Sequence, residues 1–266
     1  MIWQDIRRIR DEVPLVLNVT NYVVMNTTAN ALLALGASPV MAHAIEEVEE
    51  LTRMARALVI NIGTLSPPWV EAMFLAGKEA HRCEIPIVLD PVGCGATAFR
   101  TATVEKLIEA VHPTIIRGNA SEIRSLVRTG PGAKGVDSRH TPDEILEDAR
   151  ALSLSAGCVV SVSGPVDLVI EGERVARIEN GHPLMTRVTG MGCTASALTG
   201  AFAAVNAQAF DAAAHAMGIM GIAGEQAGEQ ARGPGSFQTH FLDALYQLTQ
   251  SEVDQRLRLQ RSGIER

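Results

Sequence analysis

A regular alternation of short apolar runs and helical patterns constrains the fold of this chain more than any other feature. The apolar runs are rich in Val, Ile and Leu and lie at 13–20, 38–42, 57–63, 86–89, 114–117 and 158–163. The helical patterns lie between them, at 25–36, 45–56, 69–83, 102–111 and 142–156. Buried strands that alternate with helices are typical of a parallel sheet covered on both faces. We therefore predict an α/β fold with a mostly parallel central sheet.

The alternation changes near residue 165. Residues 166–170 and 174–178 flank a Glu-Gly-Glu turn, which predicts an antiparallel hairpin at the edge of the sheet. A glycine-rich polar segment at 130–140 predicts a mobile loop. No break in composition divides the chain, so we predict a single domain over residues 1–266. The last helical patterns lie at 193–210, 212–229 and 241–258.

The composition indicates which residue types form the core and which classes of partner are excluded. Hydrophobic residues make up 47% of the chain and aromatic residues only 4%, which favours a core of Ala, Val, Leu and Ile. The net charge is −7 with no basic stripe, so we expect neither a nucleic acid nor an anionic membrane as partner. The N-terminus lacks the uninterrupted apolar stretch of a signal peptide, and no apolar run is long enough for a membrane-spanning helix. The four cysteines form no CxxC pair. We expect a cytoplasmic protein with reduced thiols.

Several predicted strands end in glycine or short polar residues. In parallel α/β sheets, ligands bind beyond the carboxyl ends of the strands, so these residues outline a candidate binding rim. Any single one of them could instead belong to an ordinary loop. The polar strand ends lie at 18–21, 61–64, 90–93, 117–119 and 161–164.

Residues 189–193 read Thr-Gly-Met-Gly-Cys and open a helix of small residues. The two glycines let the backbone approach a ligand, and the helix dipole favours an anion at this end. This arrangement suits a phosphate in transfer, although glycines chosen only for close packing are the alternative. Cys193 lies in the field of this helix, which predicts a stabilised thiolate that acts as a general base or a nucleophile. A small buried residue is the alternative for Cys193.

Two carboxylates and two further polar residues end neighbouring strands. Asp90 and Glu122 would repel a triphosphate unless a hard cation lay between, so we predict that they hold Mg²⁺. Glu122 could also cap the helix that follows Asn119, and the two roles are compatible. Arg117 and Ser163 close two more strands, where an arginine could clamp phosphates or form a surface salt bridge. The seven histidines have no metal-ligand spacing, and we expect them to be structural.

Taken together, these segments resemble the hydroxyethylthiazole kinase family, whose members have the three-layer ribokinase-like fold. The resemblance covers nearly the whole chain and preserves the order of the family's motifs. The segments that carry it are Asn-Val-Thr-Asn-Tyr-Val-Val at 18–24, the run at 29–41, Asn-Ile-Gly-Thr-Leu at 61–65, Leu-Asp-Pro-Val-Gly at 89–93, Arg-Gly-Asn-Ala-Ser-Glu at 117–122, and 188–193.

The resemblance implies a kinase that transfers the ATP γ-phosphate to the hydroxyl of 4-methyl-5-(2-hydroxyethyl)thiazole in thiamine biosynthesis or salvage. It implies that Met41 and Gly190 contact the thiazole and that Cys193 lies beside the substrate hydroxyl. It also implies a homotrimer with active sites between subunits. For the nucleotide and its metal, the resemblance assigns Arg117 and Ser163 to ATP, and Asp90 and Glu122 to Mg²⁺.

Two residues depart from what the family and its relatives usually carry. Met191 stands where the family usually has threonine, and Cys193 stands where ribokinase-like relatives usually have aspartate. A thiol is a weaker base than aspartate at neutral pH, but a loose transition state requires little proton removal by a base. Our hypothesis is that Cys193 assists the reaction without being indispensable.

Three other functions fit parts of the sequence. A kinase for a different small alcohol would use the same residues. An acyl-transfer or hydrolytic enzyme could use Cys193 as its nucleophile, but it would need a histidine base that the sequence does not nominate. A nucleotide-binding sensor without catalysis would need only the anion site.

Overall fold

The computed structural model describes residues 1–128 and 142–263. Within this part of the chain, nine strands form one sheet in the order β2-β1-β3-β4-β5-β6-β7-β8-β9. Every pairing from β2 to β6 is parallel, and β7, β8 and β9 pair antiparallel. The strands are β1 Leu15–Val19, β2 Ser38–Met41, β3 Ala57–Asn61, β4 Ile87–Asp90, β5 Ile115–Asn119, β6 Val159–Ser163, β7 Asp167–Glu171, β8 Arg174–Ile178 and β9 Leu259–Ser262.

Helices cover both faces of the sheet. One apolar cluster joins the first face to α1, α2, α8, α9 and α10, and a second joins the other face to α3 through α7. The predicted α/β architecture with an antiparallel edge is therefore confirmed. The helices are α1 Ile2–Glu12, α2 Met25–Leu35, α3 Val48–Met54, α4 Pro67–Arg82, α5 Ala98–Val111, α6 Ala120–Arg128, α7 Pro142–Ala156, α8 Met191–Ala203, α9 Ala209–Gln230, α10 Pro234–Gln247 and α11 Gln250–Arg256, with a 3-10 turn at Pro183–Arg187.

Small residues let α8 and α9 lie close to the sheet and to each other. A Cβ built on Gly200 of α8 would lie 2.6 Å from Cγ2 of Val59 in β3. Almost the whole of α8 is buried, as the Ala- and Gly-rich sequence predicts. This close approach brings the N-terminus of α8 to the carboxyl ends of β3 and β4, where the candidate site lies.

Several sequence predictions need correction. The predicted helix at 241–258 is two helices, because Thr249 ends the first apolar pattern and caps α11 by accepting a hydrogen bond from the N–H of Glu252. Helices α3 and α8 are shorter than predicted, and α1 and β9 were not predicted. The segment 130–140, predicted to be mobile, lies outside the described residues.

Candidate active site

A chain of buried hydrogen bonds links the carboxyl ends of three strands to α8. The amide of Asn21 donates to Oδ1 of Asn61 at 2.8 Å, and the amide of Asn61 donates to Oδ2 of Asp90 at 2.9 Å. The hydroxyl of Ser196 on α8 donates to the same Asp90 oxygen at 2.7 Å. Because β1, β3 and β4 are parallel neighbours, their last polar residues meet at one edge. The network holds Asp90 in one orientation beneath the start of α8.

Asp90 carries its carboxylate in a fully buried position. Burial raises the pKa of Asp90 to about 6, while the positive charge of Arg117 and the hydrogen bond from Ser196 act in the opposite direction. The negative charge of Glu122 raises the pKa further. A positive charge near Asp90, in addition to that of Arg117, would therefore stabilise the buried carboxylate against burial and against the charge of Glu122.

Glu122 performs the capping role that its spacing predicts. Its Oε2 accepts the backbone N–H of Asn119 at 2.8 Å, and Oδ1 of Asn119 accepts the N–H of Glu122 at 3.0 Å. Oε1 of Glu122 accepts the N–H of Gly93 at 2.9 Å. Since each carboxylate oxygen has a second lone pair, these bonds leave capacity for a cation or for its bound water.

The N-terminus of α8 is open. Gly190 is the N-cap residue with φ 85°, and no side chain caps the helix there. A Cβ at Gly190 would lie 2.7 Å from Cγ1 of Val24, so both the backbone angle and the space require glycine. The first backbone N–H groups of α8 are therefore available to an anion, as the sequence predicts.

Cys193 lies in the first turn of α8, where the amide of Asn21 donates to its sulfur at 3.5 Å. Burial raises the pKa of the Cys193 thiol to about 11, and the negative charge of Asp90 raises it further. The predicted thiolate is therefore wrong. The helix dipole is too weak to offset burial next to a carboxylate, and the thiol stays protonated at neutral pH.

Arg117 and Ser163 lie together on neighbouring strands. Nη2 of Arg117 donates to Oγ of Ser163 at 2.6 Å. The side chain of Arg117 is buried, so it is not the surface salt bridge that the sequence left open. Its Nε is buried and has no hydrogen-bond partner in the described part of the chain. A buried guanidinium with an unused donor is a strong site for an anionic oxygen.

A cavity of about 620 Å³ lies beside Arg117 and Ser163. Its lining includes these two residues and Gly192 at the start of α8. It also includes the methionines Met185, Met217 and Met220. This volume and a lining with both polar and apolar groups suit a small organic anion.

Asp167, at the start of β7, also lines this cavity. It is buried, and its Oδ1 accepts the N–H of Gly164 at 2.9 Å, which holds the turn after Ser163. Burial raises the pKa of Asp167 to about 6, although the hydrogen bond from Gly164 and the charge of Arg117 act against this. Asp167 was not among the predicted site residues.

The structure brings some predicted residues together and leaves one apart. Met41 is half-buried at the end of the edge strand β2, opposite Asn18 of β1. It does not line the cavity beside Arg117. Met191, in contrast, is buried in the core cluster and lines both this cavity and a second one of about 240 Å³ beside Thr27. Met191, which stands where the family usually has threonine, is thus a packing residue at the site.

Sequence reasoning included Asn21 and Asn61 among the polar strand ends but assigned them no role, and it missed Ser196, Asp167 and Arg100. Ser196 follows Cys193 by three residues, which places both on one face of α8. The guanidinium of Arg100 donates to the carbonyls of Ile62, Val92 and Gly63, and so ties together the loops after β3 and β4. No sequence pattern marks Arg100 for this role, because an arginine in a helix usually lies in solvent.

Two further observations concern metals and membranes. Among residues 1–128 and 142–263, no three His, Cys, Asp or Glu side chains are grouped as a metal site. Asp90 and Glu122 are the two carboxylates that the sequence predicts for Mg²⁺, which commonly binds proteins through one or two carboxylates. No described helix is both long and apolar enough to cross a membrane.

Comparison with known proteins identifies the family. The model of the hydroxyethylthiazole kinase family matches residues 6–251. This chain belongs to the hydroxyethylthiazole kinase family. It is 58% identical over 259 residues to a hydroxyethylthiazole kinase of Syntrophus aciditrophicus, covering 97% of this chain and 96% of the relative. These matches confirm the resemblance inferred from the motifs, and they make this chain a member of a kinase family.

Solved structures agree with the fold. The hydroxyethylthiazole kinase protein of Pyrococcus horikoshii OT3 superposes with a TM-score of 0.92 at 43% identity, covering 98% of this chain and 99% of that one. A pyridoxal kinase of Staphylococcus aureus in complex with AMP-PCP superposes with a TM-score of 0.63 at 14% identity, covering 80% and 89%. The second likeness concerns the fold alone. The predicted ribokinase-like fold is confirmed.

Proposed function

We propose that this protein transfers the γ-phosphate of ATP, in the presence of Mg²⁺, to the hydroxyl of 4-methyl-5-(2-hydroxyethyl)thiazole. The product would be the thiazole phosphate that thiamine biosynthesis or salvage requires. Membership of the hydroxyethylthiazole kinase family supports the reaction and the acceptor. The geometry of the site supports the choice of donor and metal.

The observation that carries the proposal is the buried guanidinium of Arg117, whose Nε has no partner in the described residues. It lies in a cavity of about 620 Å³ that also borders Gly192 at the open start of α8. Arginine and helix N–H groups that converge on one space are typical of phosphate recognition. We assign Arg117 and Ser163 to the phosphates of ATP, with Ser163 holding the guanidinium in place.

The residues at the end of β4 and at the start of α6 fit Mg²⁺. Asp90 is a buried carboxylate with a raised pKa, and Glu122 keeps lone pairs free beside it. We assign both to the metal, either directly or through water. Bound Mg²⁺ would neutralise phosphate charge next to these two carboxylates.

For the acceptor, we assign Met41 and Gly190 to the thiazole and Cys193 to the neighbourhood of its hydroxyl. In the transfer, the hydroxyl oxygen forms a bond to the γ-phosphorus while the bond to the β–γ bridging oxygen breaks and ADP leaves. The hydroxyl proton departs late in a loose transition state, to an oxygen of the transferred phosphate or to solvent water, so the protonated Cys193 helps to position the hydroxyl and need not remove its proton.

We also propose a homotrimer with its active sites between subunits. Tyr22 and Val23 follow the network residue Asn21 and are each 61% exposed. Large apolar side chains exposed beside a site are typical of an interface. A partner subunit there would also explain why Met41 lies apart from the cavity. Light scattering should give a mass three times that of the chain.

The whole chain would act as one kinase domain over residues 1–266, since one sheet contains both β1 near the start and β9 near the end. We further propose a cytoplasmic location, in which the four free cysteines would stay reduced.

The decisive experiment is to incubate the purified protein with ATP, MgCl₂ and the thiazole alcohol, and to follow the thiazole phosphate by phosphorus NMR. We expect stoichiometric ADP and thiazole phosphate, and loss of turnover when EDTA removes the metal. A parallel panel of other vitamin-precursor alcohols tests the acceptor. Faster phosphorylation of another alcohol would refute the substrate, and ATP binding without any turnover would indicate a sensor.

A further inference from the structure

One wall of the cavity beside Arg117 lies directly against a glycine face of α9. Gly221, Gly224 and Gly228 are spaced by three and four residues, so they share one side of the helix. A Cβ at Gly221 would lie 2.5 Å from Cβ of Asn180, and a Cβ at Gly228 would lie 2.4 Å from the ring of His182. Glycine is unfavourable inside a helix, so three at this contact indicate a need for close approach.

Gly224 contacts a methionine that lines the cavity. A Cβ at Gly224 would lie 2.5 Å from Sδ of Met185, with Cγ and Cε of that side chain at 3.2 and 3.3 Å. Met185 lines the cavity, as do Met217 and Met220 from the preceding turns of α9. The position of Met185 therefore sets the room that is left beside these methionines.

Polar contacts anchor the rest of the wall. Oε1 of Glu225 accepts the N–H of Gly181 at 3.0 Å and the amide of Asn180 at 3.1 Å. The amide oxygen of Asn180 accepts the N–H of Arg258 at 2.8 Å. Met185, in contrast, makes its side-chain hydrogen bond within the same turn, where its sulfur accepts the N–H of His182 at 3.4 Å, and it otherwise packs against the apolar cluster of the first sheet face. A push from α9 would move Met185 before it moves the anchored part of the wall.

Two groups of lining residues differ in chemistry. Arg117, Ser163 and Gly192 line the cavity with donors that suit phosphates. Met185, Met217 and Met220 line it with polarizable thioethers, which pack well against flat rings. The nucleoside part of a nucleotide therefore has its space beside these methionines, next to Met185 where it lies against α9.

We propose that Gly224 is a positioning residue for nucleotide binding: its missing side chain lets Met185 lie back against α9 and so keeps room for the nucleoside beside the methionines of the cavity. The inference rests on the proposed use of ATP. It concerns the contacts of the nucleoside only, and it leaves the phosphate contacts and the acceptor untouched.

The test is the variant Gly224→Ala, with ATP and inorganic triphosphate titrated separately by calorimetry. One added methyl group in an apolar pocket changes affinity by about tenfold or more, so we expect ATP to bind about tenfold more weakly. Inorganic triphosphate has no nucleoside to meet Met185, so its affinity should not change. The matched control is Gly235→Ala, since a Cβ there would meet nothing within 4 Å.

The second arm repeats the substitution in a Met185→Ala background. If Met185 transmits the effect, Gly224→Ala should change ATP affinity there less than twofold, and this non-additivity is the signature of contact. An equal loss of ATP affinity in both backgrounds, or an equal loss for ATP and triphosphate, would overturn the inference. Wild-type protein that binds neither ligand would refute the proposed function itself. If Gly224→Ala does not fold, Met185→Ala serves as the test by itself. That variant must change the affinity for ATP and leave the affinity for inorganic triphosphate unchanged.

Discussion

The guanidinium of Arg117 occupies the space that a side chain at Gly192 would need. A Cβ built on Gly192 would lie 2.9 Å from Nη1 of Arg117, while Nη2 of the same group donates to Ser163 at 2.6 Å. The second glycine of the segment at 189–193 thus serves an arginine that is 75 residues earlier in the chain. It lets a buried positive charge lie directly beside the start of α8.

The first prediction follows from this contact. In Gly192→Ala, the added methyl should push the guanidinium away from Ser163 and from the first N–H groups of α8. We expect the KM for ATP to rise by about tenfold or more, since a charged hydrogen-bonding group would be misplaced. The KM for the thiazole alcohol should change little. Steady-state kinetics with each substrate varied in turn will measure this, with Gly235→Ala as the control, and an unchanged KM for ATP would contradict it.

The second prediction concerns the buried carboxylate of Asp90. Asp90→Asn should lower kcat by about a hundredfold or more, because it removes a carboxylate assigned to the Mg²⁺ that would neutralise the phosphate charge. The same change should raise the midpoint of thermal unfolding at pH 8, because the variant no longer buries a charge whose pKa is raised to about 6. Loss of activity through misfolding would lower that midpoint instead, so one melting curve separates the two causes.

The third prediction concerns stability and pH at Asp167. Burial raises the pKa of Asp167 to about 6, above the value of about 4 for an unfolded aspartate. A group of this kind stabilises the fold fully below its unfolded pKa, and this contribution disappears as pH rises through the folded pKa. The free energy of unfolding of Asp167→Asn, minus that of wild type, should therefore grow between about pH 4 and 6, by up to about 3 kcal/mol.

Urea denaturation at pH 4, 5, 6 and 8 will measure this difference. Asp90 titrates in the same window, but it is present in both proteins and cancels in the comparison. A difference that stays constant with pH, or that shrinks toward pH 8, would show that the carboxyl of Asp167 is not the titrating group.

The fourth prediction concerns Cys193. Because its thiol stays protonated, we expect Cys193→Ala to keep measurable turnover, with kcat reduced by about ten- to a hundredfold. ATP and thiazole binding should remain. A variant with intact binding of both ligands and no detectable turnover would refute the view that Cys193 assists without being indispensable.

Alkylation provides a fifth, independent prediction for the same thiol. Burial raises the pKa of Cys193 to about 11, so iodoacetamide should modify it slowly at pH 7.5, and peptide mapping will separate it from the other three cysteines. Rapid inactivation that neither ATP nor the thiazole alcohol prevents would instead favour a nucleophilic cysteine of the acyl-transfer kind.

Local signals in the sequence account for some successes and for some of the errors. The helix α1 was not predicted although Ile2, Ile6 and Ile9 follow a helical period and are buried. The break before α11 has a capping box, Thr249 with Glu252, that could have been recognised. The strand β9 had no such signal, because Leu259–Ser262 is mostly polar and exposed, and only its pairing with β8 makes it a strand.

The sequence by itself determined the parallel strands and the β7–β8 hairpin of the sheet, the open N-terminus of α8 and the family, because these depend on local periodicity, on glycine and on short contiguous motifs. Only the tertiary structure decided the protonation state of the Cys193 thiol and the hydrogen-bond partners of Arg117. A pKa depends on burial and on charges from other elements, so burial together with the charge of Asp90 reverses what the helix dipole predicts for the thiol. In the same way, the reason for Gly192 of α8 lies in Arg117 of β5, which no pattern within 189–193 could reveal.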